Sequence, residues 1–168
     1  MATAITKSNL FSEPRNNIVD IISANLTDPV SSSSQFRKWI YSREPDIKSA
    51  GFKGFPIVII NASELDKLKA QRTVDRKSNK VDWTIEMEVI SSDRGNGKQA
   101  GRGLEYLDSV SDQLVQVLGD TTNLDTLREN LIHNLTFSAS GVDTESLADE
   151  LVFRRTFILN FDTKIQTS

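Results

Sequence analysis

The sequence predicts a single α+β domain, with an antiparallel sheet of about four to five strands packed on one face by two main helices. Three observations carry this expectation. Val81 to Val89 alternates without a break, placing Val81, Trp83, Ile85, Met87 and Val89 on one side and Asp82, Thr84, Glu86 and Glu88 on the other. One dry face and one wet face suit an antiparallel sheet covered on a single side, whereas a parallel sheet is buried on both. Two amphipathic stretches, Ile18 to Leu26 and Leu104 to Leu118, supply helices to cover the dry face. At 168 residues, with no internal repeat and no long linker, the chain fits one folding unit.

In chain order, residues 1–12 read as an N-terminal arm, and the first helix begins at Glu13 and Pro14, because proline at a first helical position gives up no needed N–H. Ile18, Ile22 and Leu26 form its apolar stripe, widened by Val19 and Ile21, and Thr27-Asp28-Pro29 ends it. Ser31 to Ser34 reads as a flexible connection, followed by an apolar cluster of Phe36, Trp39, Ile40 and Tyr41 that suits core cover under a loop or a partner-facing patch. Phe55 to Asn61 is a β-branched run that reads as a buried strand, with Pro56 near its start. Residues 62–80 form a polar, charged arm before the alternating strand. A turn from Asp93 to Gly103 leads to the second helix, whose inner face reads as Leu104, Leu107, Val110, Leu114, Val117 and Leu118, with Gly119 as its stop. Asn123 to Asn130 reads as a short helix capped by Asn123. Ile132 to Ser140 is a strand, and Gly141 and Asp143 supply a turn. The last strand, Leu151 to Phe161, sets Leu151, Phe153, Phe157, Leu159 and Phe161 on one side, with Arg155 interrupting that face.

Composition narrows the chemistry. The absence of cysteine removes disulfides, thiolate nucleophiles and zinc-ribbon sites together. A hydrophobic fraction of 38% with a net charge of −3 describes a globular domain with a modest core and no overall pull toward DNA or anionic membranes. The opening MATAITKSNLFSEP lacks the apolar centre of a secretory signal, and no apolar run approaches the ~20 residues that span a bilayer. These features lead to the expectation of a soluble intracellular product without a membrane partner.

No catalytic, cofactor or metal site is expected. His133, the only histidine, stands between Ile132 and Asn134 without a nucleophile placed beside it by the sequence. Asp82, Glu86 and Glu88 line one wet strand face, as solvated residues do, instead of converging on a cation. Gly95-Asn96-Gly97-Lys98-Gln99-Ala100 matches G-x-G-x-x-A after a strand and before a helix, the setting of a dinucleotide fingerprint. Yet the preceding strand alternates, and no succession of βαβ units surrounds it. Gln99 also stands where a phosphate-binding loop needs Ser or Thr. A plain strand-to-helix turn is the better reading.

Cations mark the segments able to meet an anionic partner. Lys67, Lys69, Arg72, Arg76, Lys77 and Lys80 dominate the charged arm, and Arg94, Lys98 and Arg102 surround the glycine turn. The arm is too long for a tight hairpin turn and reads equally as a solvated loop or as an assembly arm. It has no aromatic residue on which bases would stack, which disfavours a nucleic-acid-binding module.

The order of these features resembles a known family. An N-terminal amphipathic helix precedes an FPIVIIN strand and a long charged excursion; WTIEMEV then runs into a helix, and two strands close the chain. This ordering, over Pro14 to Phe161, is similar to the tail terminator, or tail completion, proteins of long-tailed bacteriophages and related viruses. The Ser-rich insertion, the Phe36–Tyr41 cluster and the length of the charged arm depart from that pattern. The resemblance implies a structural, non-enzymatic virion protein in the tail neck, assembled in the host cytoplasm as a hexameric ring. Such a ring binds the last ring of the tail tube protein, ends its polymerisation and meets the head connector protein, and DNA passes through without sequence-specific binding. Other head–tail junction proteins and tail tube subunits share this outline, since a contact that closes makes a ring and one that stacks makes a tube. A nucleotide-dependent enzyme using the Gly95–Ala100 turn is the alternative from another class.

Overall fold

In the computed structural model, which describes residues 11–30, 37–61, 64–69, 78–94, 101–147 and 150–166, two long strands organise the sheet. The elements run α1 (Glu13–Asn25), β1 (Ile40–Tyr41), β2 (Ile57–Ile60), β3 (Glu64–Lys69), β4 (Ser78–Ser92), α2 (Gly103–Gly119), α3 (Thr121–Glu129), β5 (Ile132–Ala139), β6 (Asp143–Leu147) and β7 (Glu150–Gln166). β4 and β7 pair antiparallel from Ser78 opposite Gln166 to Ser92 opposite Val152. Each carries a broken strand on its outer edge. β2 follows the C-terminal half of β4 and β3 follows its N-terminal half; β5 and β6 divide the outer edge of β7 in the same way. The sheet is thus two hairpins set side by side, and all its pairings are antiparallel except that of β1 with β2.

The mixed α and β class and the largely antiparallel sheet agree with the sequence reading, but the strands are more numerous. Seven are paired among the described residues, including the two-residue β1, and α3 adds a third helix. Residues 62–80 are not one loop. Glu64–Lys69 joins the sheet as β3, and Ser78–Lys80 belongs to β4. The sequence pattern hides β3 because its register shifts between Leu65 and Lys67. Leu65 and Leu68, three apart in sequence, therefore stand opposite Trp83 and Val81, which are two apart. Residues 1–10 and 31–36, including Phe36, lie outside the described residues, as do 70–77 and 95–100.

The dry face of β4 is buried as the alternation requires, and Val81, Trp83, Ile85, Met87 and Val89 join Phe157, Leu159 and Phe161 of β7 in the main core. Ile18 and Ile22 of α1, Leu107, Val110, Leu114, Val117 and Leu118 of α2, and Leu127 of α3 complete it. Trp39 also belongs to this core and Ile40 packs against it, so this part of the apolar cluster is core cover. On the opposite face a smaller cluster of Ile57, Ile59, Ile90 and Val152 is overlaid by Tyr41, Phe52 and Phe55. Arg37 anchors this overlay: its guanidinium forms a buried two-pronged pair with Asp28 and also donates to the Gly54 and Pro56 carbonyls.

Three local expectations are corrected. Leu104 and Leu151 were placed on inner faces, yet both are over 40% exposed, at 46% and 43%. Each lies at the end of its element, where the opposing layer no longer covers it. The cap of α3 is Asp120, whose carboxylate accepts the Asn123 N–H at 3.0 Å, so the helix starts earlier than an Asn123 cap implies.

Trp83 is the largest side chain sealed in the core; its indole N–H donates to Thr163 Oγ1 at 3.0 Å and Phe11 meets its ring edge-on. Trp83→Ala is expected to destabilise the fold by ~3–5 kcal/mol in chemical denaturation. A loss below about 1 kcal/mol would contradict this packing.

Candidate functional site

With the helices on one side, the opposite face of the sheet is polar along the N-terminal half of β4. Lys80, Asp82, Thr84, Glu86 and Glu88 stand beside Lys164, Asp162, Asn160, Ile158 and Thr156 of β7. Next to these come His133, Thr136 and Ser138 of β5, which stand opposite Asp162, Asn160 and Ile158. The groups are largely paired with one another. Asp162, only 5% exposed, accepts from Asn134 Nδ2 at 2.6 Å and pairs with Lys80 Nζ at 3.0 Å. Thr84 donates to Asn160 at 2.8 Å, and Arg154 holds Glu88 at 2.5 Å with Glu44 at 3.9 Å beyond it.

Asn134 reaches Asp162 because the β5 ladder shifts between His133 and Thr136 and Asn134 takes a positive φ of 54°, a conformation asparagine tolerates better than most residues. Sequence reasoning missed this buried carboxylate. The signal was a polar Asp-Thr pair directly after the apolar run that ends at Phe161.

Of the nine cations singled out from sequence, the five within the described residues, Lys67, Lys69, Lys80, Arg94 and Arg102, divide between the two ends of β4. Lys67 and Lys69 lie on β3, opposite Asp82 and Lys80. Arg94 follows the other end of β4, donates its N–H to Ser92 Oγ and pairs with Glu150 at 3.6 Å. Arg102 precedes α2, pairs with Glu105 and lies over the Tyr106 ring. Lys80 and Arg94 are separated by most of a fifteen-residue strand, roughly 45 Å at the rise of an extended chain. Arg72, Arg76, Lys77 and Lys98 lie outside the described residues.

The start of α2 is built differently from a phosphate cradle. Asp93 Oδ1 accepts the Gly103 N–H at 2.9 Å, so a carboxylate already faces that helix end, where an incoming anion would meet like charge. The preceding β4 has antiparallel neighbours on both edges, unlike the parallel central strand of a dinucleotide-binding unit. Gly103 also presses on the strand end, since a Cβ there would meet Ser92 C at 2.7 Å and Asp93 N at 2.8 Å.

His133 is half-buried and lines a shallow open depression of about 140 Å³ with Leu124, Leu127, Arg128, Ile132, Asn134 and Leu135. Among the described residues no three acids and histidines converge as a metal site, and no helix is long and apolar enough to cross a membrane. The outer edges of the sheet are open: β3 and β1 on one side, and β5 and β6 on the other, have no further strand partner among the described residues. No protein-family model matches the sequence, and a search of curated proteins finds no match.

Two outcomes follow from this geometry. Gly103→Ala is expected to cost ~1–3 kcal/mol, because backbone must move to admit the methyl group, and urea denaturation measures it. Lys80 is held above its ordinary pKa of 10.5 by its hydrogen bond to Asp162, with the Asp82 carboxylate adding to the effect. A raised folded pKa contributes stability below the unfolded value and loses it as pH rises through the folded one. The melting-temperature advantage of wild type over Lys80→Met should therefore be constant through neutral pH and fade only above pH 10.5. Fading near neutrality would assign the effect to another group.

Proposed function

We propose that this chain is a structural virion protein of the tail-terminator type: a ring subunit that caps the tail tube, ends its polymerisation and joins tail to head connector. The observation that supports it best is the pair of unlike open edges on a sheet covered by helices on one side only. At the level of Lys80 to Thr84 the strands read β3, β4, β7, β5, an even number of antiparallel strands. The two outer strands consequently run in opposite directions. A copy related by rotation would bring its β3 antiparallel to the neighbour's β5, and repetition of that heterologous contact closes a ring.

Closure in this sense puts the helices outside and the polar face inside. On β4 and β7 that inner face carries Asp82, Glu86, Glu88 and Asp162 against Lys80, Arg154 and Lys164. A lining slightly richer in acids suits passage of DNA without retention, because phosphate finds no net positive field there. The largely self-paired polar groups also favour a wall over a reactive site. A tail tube subunit would use the same edges, and the difference lies in whether rings stack.

The native mass of the purified protein tests the ring. A discrete oligomer of the 18.8 kDa chain, six copies in the proposed form, is expected by sedimentation. Added to a polymerising tail tube protein, it should shorten the tubes in proportion to its concentration. A monomer at every soluble concentration contradicts the ring, and tubes of unchanged length contradict the capping role.

A further inference from the structure

Resting on the ring reading above, we infer that the depression between α3 and the outer edge of β5 is the seat of the basic β3–β4 hairpin end of a neighbouring copy. The sheet register sets the position. Lys69 stands opposite Lys80, Lys80 opposite Lys164, and Ile132 at the start of β5 opposite Thr163. The basic end of β3 and the α3–β5 junction therefore lie within about one residue of the same level along the strands. Copies related by rotation alone keep that level. When β3 of one copy lies along β5 of the next, the Lys69 end of β3 stands level with the α3–β5 junction.

Charge points to the same occupant. The segment 67–80 holds six bases and one acid, Asp75, so with a whole-chain charge of −3 the remaining residues stand at −8. A chain divided in this way attracts its own copies head to tail. On α3, Asp125 and Glu129 are exposed, with Arg128 between them and paired to Asp125 at 2.7 Å; Asp120 is engaged as the cap. The depression beside these acids is walled by Leu124, Leu127 and Leu135 and bounded by β5, whose outer edge has no strand partner among the described residues. An added hairpin supplies backbone partners for the outer edge of β5, cover for the half-buried Leu124 and Leu135, and cations facing Glu129 and the Asp125–Arg128 pair. Nucleic acid would be repelled by the same acids.

The test exchanges charges between copies. One variant carries Arg72→Glu, Arg76→Glu and Lys77→Glu; the second carries Asp125→Lys and Glu129→Lys. Asp125 and Glu129 are exposed, so the second variant should keep the wild-type melting transition as a monomer, and a thermal melt of the first variant should show the same. Each alone should need roughly ten-fold higher concentration, or more, to form the ring by sedimentation. In an equal mixture the acidic hairpin of the first meets the basic α3 of the second, and the reverse contact is wild type on both sides. Rings of alternating composition should then return, and combining all five substitutions in one chain should restore them as well. Rings that form normally in either variant, or a mixture that fails to recover, overturn this seat while leaving the ring intact. A wild-type chain that never leaves the monomer overturns the ring reading itself.

Discussion

The fifteen residues of β4 lie hydrogen-bonded against β7 along their whole length, and this ladder decides where everything else can go. It fixes the register of two hairpins at once. It also sets Val81, Trp83, Ile85, Met87 and Val89 beside Phe157, Leu159 and Phe161 on one face, making a strip of apolar surface too wide for the sheet to leave in water. α1 and α2 are held by burying their own stripes on that strip, since isolated helices of thirteen and seventeen residues are marginal in water. The outer strands β2, β3, β5 and β6 are short and follow from the same ladder. Each needs only one long neighbour to satisfy half of its backbone; the other half of β2 is met by β1, while β3, β5 and β6 have no further strand partner among the described residues.

Segregation of charge follows the same division. The helices present acids outward, while residues 67–80 hold six bases against one acid. Inside the sheet the charges are neutralised locally, as Asp162 with Lys80 and Asn134, and Glu88 with Arg154. A paired and hydrogen-bonded polar face is held in place without a core above it. Such a face is stable as a surface, and it offers few unengaged groups for chemistry. The open edges and the long-range charge are the features that the proposed assembly role would use.

How much of this was legible in the sequence depends on how one-sided each element is. β4 was plain from Val81 to Val89 because one face is dry and the other wet; its ends, Ser78 to Lys80 and Ile90 to Ser92, lose that contrast and were missed. β3 escaped because its bulge breaks the period of two, and β6 because Asp143 to Ser146 are exposed and carry no apolar signal at all. β7 extends to Gln166 through Asp162 and Thr163, polar residues buried by virtue of Lys80, Asn134 and the Trp83 indole. Such cross-strand partners are eighty residues away in sequence for Trp83 and Thr163, beyond any local pattern. The cations were visible individually, yet only the register reveals that the described ones divide between opposite ends of β4.

The central claim is that the sheet of one copy continues into the next through β3 and β5, and hydrogen–deuterium exchange across a concentration series tests it most directly. Amides of β4 and β7 should be protected at every concentration, because their partners lie within the chain. Outward-facing amides of β3 and β5 should exchange quickly in dilute monomer and slow together as the ring appears. Protection that rises elsewhere on association, while both edges continue to exchange freely, would contradict the account.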